Sequence, residues 1–229
     1  MAGDTKITTG GRERVSQAAT LYQDAFRDDP VICYMLCGLD AQQRHEYLRE
    51  YFTRLTTAAA LNAAIFEETD DWTSASVFLP PGKRIDNPWT LVPAGLFQVL
   101  WKLGLAGCRR MLREFEPAVT AVQRRALGDS KHFYYLFLIA TREDARGRGL
   151  SSALIRELQQ RAAQERAPVW LEATTESSAR LYAKLGFKSV GKVILGQGVA
   201  AADGSQEQGG SGVPVDCMVW RPAQEHLSD

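Results

Sequence analysis

Hydrophobic residues along this chain follow helical spacing in some segments and strand spacing in others. Apolar residues three and four positions apart predict amphipathic helices, at 12–27, 41–60, about 150–165 and 176–185. Runs rich in apolar and β-branched residues predict strands, at about 5–9, 63–68, 72–80, 132–141, 169–174, 188–195 and 213–220. Strands that alternate with helices indicate a mixed α/β fold. We expect one domain that spans residues 1–229.

The segment from about 88 to 128 is amphipathic and carries no strand signal, so it is expected to form a helical insertion between the third and fourth strands. Its aromatic residues Trp89, Phe97 and Trp101 either line a ligand pocket or fill the core, and the core is the favoured position for Trp101. The uncharged run 87–101 is shorter than the roughly 20 apolar residues that a membrane-spanning helix needs.

Charge and composition exclude some classes of function. Lys plus Arg and Asp plus Glu both total 27, so the chain has no net charge that would favour nucleic acid in general. The four cysteines lack CxxC spacing and form no metal-binding pattern with the three histidines, so no metal site is expected. Because no secretory signal precedes these cysteines, a cytoplasmic location is expected. The Gly-, Ser- and Gln-rich stretch 196–212 is expected to be a mobile loop.

Between the strand at 132–141 and the next helix, glycines and arginines alternate in the sequence RGRG, residues 146–149. Glycine lets a backbone approach a ligand closely, and the N–H groups that open a helix attract anions. A phosphate or pyrophosphate suits this loop, although a solvated basic turn has the same sequence. The loop is not a Walker A motif, since it lacks the Lys-Ser/Thr pair, and it also lacks the third glycine of GxGxxG.

This loop and a helix downstream together resemble the GNAT acetyltransferase superfamily. Members carry an Arg/Gln-x-x-Gly-x-Gly/Ala loop after the fourth strand, matched here by 146–151, and an LYxKxGF helix, matched by 181–187. Shorter matches at 25–31 and 76–82, with the aromatic opening of the strand at 132–141, are similar to the branch that includes puromycin N-acetyltransferase. Ser151 replaces the final Gly or Ala of the loop, but it is still small and can donate a hydrogen bond.

The resemblance implies a GNAT-type mixed, mostly antiparallel twisted sheet of about six to seven strands, flanked by helices. It also implies acetyl-CoA as co-substrate, with its pyrophosphate on the N–H groups of 146–151 and its pantetheine paired to the end of the preceding strand. The implied cofactor-binding residues are Leu138, Ile139, Ala140, Thr141, Arg146, Gly147, Arg148, Gly149, Leu150, Ser151 and Ser178.

The same resemblance implies Tyr182 as the general acid that protonates the departing thiolate. Glu172 lies within an otherwise apolar strand, where a carboxylate is either a general base or half of a structural ion pair. His132 is an alternative base. The acidic residues Glu67, Glu68, Asp28 and Asp29 either contact a cationic substrate or form a solvated face, and the solvated face is favoured.

The sequence therefore predicts an N-acetyltransferase that transfers acetyl from acetyl-CoA to the amine of a small molecule by direct attack in a ternary complex. The alternatives are a protein or peptide acetyltransferase and a non-catalytic acyl-CoA-binding protein. We expect a monomer or homodimer whose partner is the small-molecule amine, with no nucleic-acid partner and no membrane partner.

Overall fold

In the computed structural model, which describes residues 6–85, 88–91 and 93–223, one twisted sheet contains every named strand. The strands are β1 (Ile7–Gly10), β2 (Ile65–Thr69), β3 (Ser74–Leu79), β4 (Tyr134–Thr141), β5 (Val169–Ala173), β6 (Lys188–Leu195) and β7 (Val213–Trp220). Their order is β1-β2-β3-β4-β5-β7-β6, and only β4 and β5 pair in parallel. The predicted mixed, mostly antiparallel sheet of six to seven strands is confirmed.

Helices cover both faces of this sheet. They are α1 (Val15–Ala25), α2 (Pro30–Met35), α3 (Ala41–Leu61), α4 (Pro88–Leu91), α5 (Leu96–Arg109), α6 (Glu116–Leu127), α7 (Leu150–Gln164) and α8 (Glu176–Lys184). On one face α1 and α3 bury Tyr22 and Phe52 against the sheet. On the other face α7 buries Ile155 and Leu158. The sequence analysis did not predict α2, because Asp28-Asp29-Pro30 is typical of the end of one helix as well as of the N-cap that begins the next.

The parallel pair β4–β5 separates soon after it begins. The ladder contains only Tyr134 opposite Val169 and Tyr135 opposite Trp170. Beyond Tyr135, β4 stays paired with β3 on one side, while β5 stays paired with β7. A cleft therefore opens between the carboxyl halves of two neighbouring strands, where backbone groups on the inner edges have no ladder partner.

Helices α4, α5 and α6 lie between β3 and β4, which confirms the predicted helical insertion. A π-helical segment, Arg110–Phe115, joins α5 to α6. The core position favoured for Trp101 is wrong, since this side chain is 87% exposed, and Trp89 is exposed as well. The side chain of Phe97 lies outside the described residues. None of the helices in the described ranges has both the length and the apolarity required to cross a bilayer.

The stretch 196–212 folds back on itself through backbone hydrogen bonds. The N–H of Gly198 donates to the carbonyl of Gly210 at 2.8 Å, and the N–H of Gly209 donates back to Gly198 at 2.9 Å. The Gln206 side chain also donates to the carbonyl of Cys37 at 3.2 Å. These contacts attach the loop to the end of α2, and the mobility expected for it stays a prediction.

Candidate active site

A cavity of about 1190 Å³ occupies the cleft between β4 and β5 and continues beneath the helical insertion. Residues of the 146–151 loop line it, together with side chains from α1, α3 and the insertion. Of the residues predicted from the sequence, those that line it are Leu138, Ile139, Ala140, Thr141, Arg146, Gly147, Gly149, Leu150, Ser151, Glu172, Ser178 and Tyr182. The fold thus brings three separate segments of the chain to one site.

The glycines of the 146–151 loop adopt a backbone conformation that other residues rarely reach. Gly147 and Gly149 both have φ of +82°, in the left-handed region that favours glycine. Gly149 is the N-cap of the 15-residue helix α7, and no side chain caps the first N–H groups of that helix. Those N–H groups, with the positive end of the helix dipole behind them, form an anion site of the kind that a pyrophosphate needs.

The two arginines of the loop are placed differently. Arg146 lines the cavity, whereas Arg148 does not. The Arg148 guanidinium instead forms an ion pair with Asp70, at 2.9 Å between Nη2 and Oδ2. Asp70 begins the β2–β3 turn, in which Asp70, Asp71 and Trp72 all have positive φ. The structure therefore separates Arg148 from the other predicted cofactor-binding residues.

The end of β4 is held to the start of α7 by hydroxyl groups. Thr141 Oγ1 lies 2.6 Å from Ser151 Oγ and 2.8 Å from Ser74 Oγ. The hydroxyl of Ser151 therefore connects the loop to the sheet, which a Gly or Ala at this position cannot do. The inner edge of 138–141 faces the cleft without a strand partner and is available for backbone hydrogen bonds to an extended ligand.

Tyr182 points from α8 into the cavity, and its ring packs against Phe187 at 5.8 Å between ring centroids. Its hydroxyl forms no hydrogen bond with any other group in the described ranges. Burial, together with the negative charges of Asp29 and Glu172, raises the pKa of Tyr182 above its ordinary value of 10. Ser178, one helical turn earlier, accepts from the N–H of Thr175 at 3.3 Å as part of a capping box, and its hydroxyl donates to the carbonyl of Thr175 at 2.8 Å.

Glu172 is not part of an ion pair in the described structure. Its carboxylate accepts hydrogen bonds from the Tyr135 hydroxyl, at 2.8 Å, and from the Trp170 indole N–H. Burial raises the pKa of Glu172 from 4.5 to about 7, and the negative charge of Glu116 adds to that rise. Half of the Glu172 side chains are therefore ionised near neutral pH, which is the condition a general base needs.

Asp29 is the functional candidate whose position the sequence analysis missed. It is only 8% exposed and lines the cavity. One oxygen accepts from the N–H groups of Val31 and Ile32, at 3.0 and 3.1 Å, and the other accepts from the Thr174 hydroxyl. Burial raises the pKa of Asp29. The signal was present, because Asp before Pro is a typical N-cap followed by a first helical residue.

The solvated face favoured for the acidic residues is wrong for Asp29 and for both glutamates of β2. Glu67 is fully buried and forms an ion pair with Arg161 at 2.9 Å. Glu68 is also buried and accepts from the N–H of Trp72 at 2.9 Å. Asp28 is exposed at the edge of the cavity. Of these four acidic residues, Asp28 and Asp29 therefore lie where they could face a cationic ligand in the cavity.

His132 lies away from the other candidates. It is exposed, its Nε2 is 3.0 Å from the carbonyl oxygen of Glu165, and it does not line the cavity. This position gives no support to His132 as the general base.

Aromatic and aliphatic side chains form a large part of the cavity lining. They come from α1, α3, β4 and the insertion: Phe26, Tyr51, Phe52, Leu55, Met111, Leu112, Phe115, Phe133, Tyr135 and Phe137. The arrangement combines an anion site, a strand edge, a phenol, a buried carboxylate and an apolar chamber. It can hold an extended, phosphorylated thioester against a second, partly apolar molecule.

Comparisons with known proteins agree with this geometry. The sequence model of the Acetyltransferase (GNAT) family matches residues 59–187. The chain is 25% identical over 214 residues to an uncharacterized N-acetyltransferase of Schizosaccharomyces pombe, which covers 93% of this chain and 82% of the yeast protein. The likeness to the puromycin branch stays a prediction.

Two solved structures have the same fold. One is from Corynebacterium glutamicum and is described as histone acetyltransferase HPA2 and related acetyltransferase, with a TM-score of 0.64, 19% identity, and coverage of 97% of this chain and 99% of that one. The other is a Drosophila melanogaster polyamine N-acetyltransferase, with a TM-score of 0.63, 15% identity, and coverage of 95% and 100%. The family match covers more than half of the chain, so this protein belongs to the Acetyltransferase (GNAT) family of enzymes.

Proposed function

We propose that this enzyme transfers an acetyl group from acetyl-CoA to the amine of a partly apolar small molecule. The observation that carries the proposal is that the glycine loop, Glu172, Tyr182 and a set of aromatic side chains all line one cavity. The two substrates would lie end to end, and the amine would attack the thioester directly.

The residues present suit acetyl-CoA. The free N–H groups at the start of α7, with Arg146 beside them, would hold the pyrophosphate. The unpaired edge of Leu138, Ile139, Ala140 and Thr141 would hydrogen-bond to the amides of the pantetheine arm. Acetyl-CoA, when bound there, supplies an activated thioester. Arg148 is a weaker candidate for this site because Asp70 already neutralises its charge.

Glu172 is proposed as the group that removes the proton of the acceptor. An alkyl ammonium with a pKa near 10.4 is neutral in only about one molecule in 2,500 at pH 7, a cost of about 4.6 kcal/mol. Transfer of that proton to a carboxylate of pKa about 7 costs about 3 kcal/mol less than transfer to one of pKa 4.5. Burial of Glu172 thus makes it a more effective base, and Tyr135 and Trp170 hold it in place.

Tyr182 is proposed as the proton donor to the sulfur. As the C–N bond forms and the C–S bond breaks, negative charge develops on the sulfur, and the phenol donates to it. Because its pKa is raised, the Tyr182 hydroxyl stays protonated over the whole working range of pH. Asp29 faces the same cavity and would attract the cationic form of the acceptor.

A small, partly apolar amine suits the chamber better than a peptide, because the insertion covers the cavity with Met111, Leu112 and Phe115. The Drosophila structure, whose protein catalyses the formation of N-acetylagmatine, shares this fold but does not identify the acceptor here.

The test is release of free CoA thiol from acetyl-CoA with a panel of aliphatic and arylalkyl amines, for the wild type and for Tyr182→Phe. We expect turnover by the wild type, and a fall of about 10²–10⁴-fold in kcat for the variant, with an unchanged Kd for acetyl-CoA. If acetyl-CoA binds but no amine is acetylated, the protein is the non-catalytic acyl-CoA-binding alternative. If Tyr182→Phe keeps full kcat, the proposed role of Tyr182 is wrong.

A further inference from the structure

We propose that the outer side of the helical insertion binds the surface of an anionic lipid bilayer. We call this surface the insertion patch. It consists of three exposed apolar side chains, Trp101, Leu105 and Leu112, and three exposed basic ones, Lys102, Arg109 and Arg113.

The apolar residues of the patch are unusually exposed. Trp101 is 87% exposed, Leu105 92% and Leu112 56%. Helix α5 buries Val99 and Leu103 in the core, and its backbone leaves the helical conformation at Gly104, so Trp101 and Leu105 are exposed on the two sides of a kink. A helix that is apolar on both sides normally has a partner on each, and a cluster of large exposed apolar groups marks an interaction surface.

The charges around the patch point to an anionic partner. The chain as a whole is neutral, yet residues 101–113 include Lys102, Arg109, Arg110 and Arg113 and no acidic residue. Arg110 turns inward, donates to the carbonyl of Met35 at 3.2 Å and lies over the Tyr34 ring. The other three cations remain at the surface, and none forms an ion pair with a carboxylate in the described ranges. Lys102 Nζ lies 5.8 Å from the centroid of the Tyr47 ring. Glu114 lines a small pocket with Arg109 and Arg113, and its carboxylate accepts hydrogen bonds from the Tyr34 hydroxyl and the Gly196 N–H.

This combination is the one that interfacial helices use. Trp and Leu enter the boundary between headgroups and acyl chains, while Lys and Arg contact anionic headgroups. A second copy of this chain is a poorer partner, because a two-fold contact through the patch would set a surface with three cations against an identical one. The proposal concerns contact at a membrane surface, and it replaces the expectation of no membrane partner.

The patch also adjoins the cavity. Leu112 belongs to both, and its neighbours Met111 and Phe115 line the chamber proposed for the acceptor. A bilayer bound to the patch would lie beside that chamber, where an amphiphilic amine is concentrated.

The test is flotation of the full chain with vesicles of phosphatidylcholine containing about one third phosphatidylserine, against pure phosphatidylcholine vesicles. We expect binding to the anionic vesicles that weakens near 1 M salt, where the screening length is about 3 Å. Arg109→Gln with Arg113→Gln should weaken the partition coefficient about 30-fold, since each cation near such a surface contributes about a factor of five. Trp101→Gln with Leu105→Gln should weaken it about tenfold or more.

Matched controls change equally exposed residues elsewhere. Val199→Gln removes an apolar side chain that is 61% exposed, and Lys188→Gln with Lys192→Gln removes two exposed cations of β6. Both controls should bind the vesicles as the wild type does. All of the changed side chains are exposed, so each variant should keep the thermal midpoint of the wild type.

Three results would overturn the proposal. The first is equal binding to neutral and anionic vesicles. The second is an equal loss of vesicle binding in the patch variants and the control variants. The third is a dimer in light scattering that dissociates when Trp101→Gln and Leu105→Gln are combined. The last result would assign the patch to a second copy. Acetyl-CoA is absent from these measurements, so their outcome is independent of the proposed acetyl transfer.

Discussion

Replacement of Glu172 by Gln gives the sharpest test of the catalytic arrangement. The carboxylate has a pKa of about 7 because it is buried, so its ionised fraction rises about tenfold between pH 6 and pH 8. If ionised Glu172 accepts the proton of the bound ammonium, kcat/KM of the wild type should rise about tenfold over that interval and level off above pH 8.

The Gln variant should behave differently in both rate and shape. Without a base, only the neutral amine can react, and its concentration rises about tenfold per pH unit until the pKa of the acceptor, near 10.4. At pH 7 we expect kcat/KM to fall by about 10²–10⁴-fold. The difference in kcat/KM between the variant and the wild type should become steadily smaller above pH 8.

Tyr135→Phe is the matched control, because it leaves the carboxylate of Glu172 in place and removes one of its donors. Loss of a hydrogen bond to a charged group costs about 1.5–3 kcal/mol, so the pKa of Glu172 should rise by about one unit or more. The rise of kcat/KM with pH should shift to higher pH by the same amount. The assay is initial velocity at subsaturating amine from pH 5.5 to 10. If kcat/KM of Glu172→Gln levels off at the same pH as that of the wild type, the base is another group. Asp29 is then the first candidate.

Three other measurements test the site from different sides. Since the native pKa of Glu172 lies above its ordinary 4.5, the folded state binds more protons than the unfolded state between about pH 4.5 and 7. This group therefore lowers the free energy of unfolding by up to about 3 kcal/mol as pH rises through that window. Urea unfolding should show that Glu172→Gln is more stable relative to the wild type at pH 8 than at pH 5, and an equal difference in stability at the two pH values would contradict the argument that burial raises the pKa. Acetyl-CoA at about 100 times its Kd should raise the thermal midpoint by about 5–10 °C. Arg146→Ala should lose more of that increase than Arg148→Ala. The reverse order would mean that the ion pair between Arg148 and Asp70 opens when acetyl-CoA binds. Gly149→Ala, at φ +82°, should cost about 1–2 kcal/mol of stability and weaken acetyl-CoA binding, whereas Gly38→Ala, in open space at an ordinary backbone angle, should change neither.

Local signals in the sequence were sufficient for much of the fold. Strands, left-handed turns and helix starts depend on short stretches of chain, so adjacent residues are enough to predict them. This applies to the apolar strand that ends near Thr141, to the glycines at 147 and 149, and to the periodic helix that follows. The same applies to α8, where Thr175 caps the helix and Gly186 ends it.

Other features depended on how distant segments pack. β4 and β5 separate while each stays paired with its other neighbour, β3 or β7, and no local pattern records that separation. The hydrogen bond between Thr174 and Asp29 joins residues 145 positions apart, and it brings a second carboxylate to the cavity that already holds Glu172. The pairing of Arg148 with Asp70 likewise needed the β2–β3 turn to reach the loop.

By itself, the sequence determined most of the elements, the glycine loop and the place of Glu172 within a strand, because these follow from local residue type and spacing, while Tyr182 was singled out by the resemblance to a family. The tertiary structure alone decided that Glu172 is half-buried in the cavity with no ion pair in the described ranges, that Asp29 faces the same cavity and that Trp101 lies at the surface. The physical reason is that burial and charge environment are properties of packed neighbours. A residue's pKa and exposure are set by groups that the linear order of the chain does not place beside it.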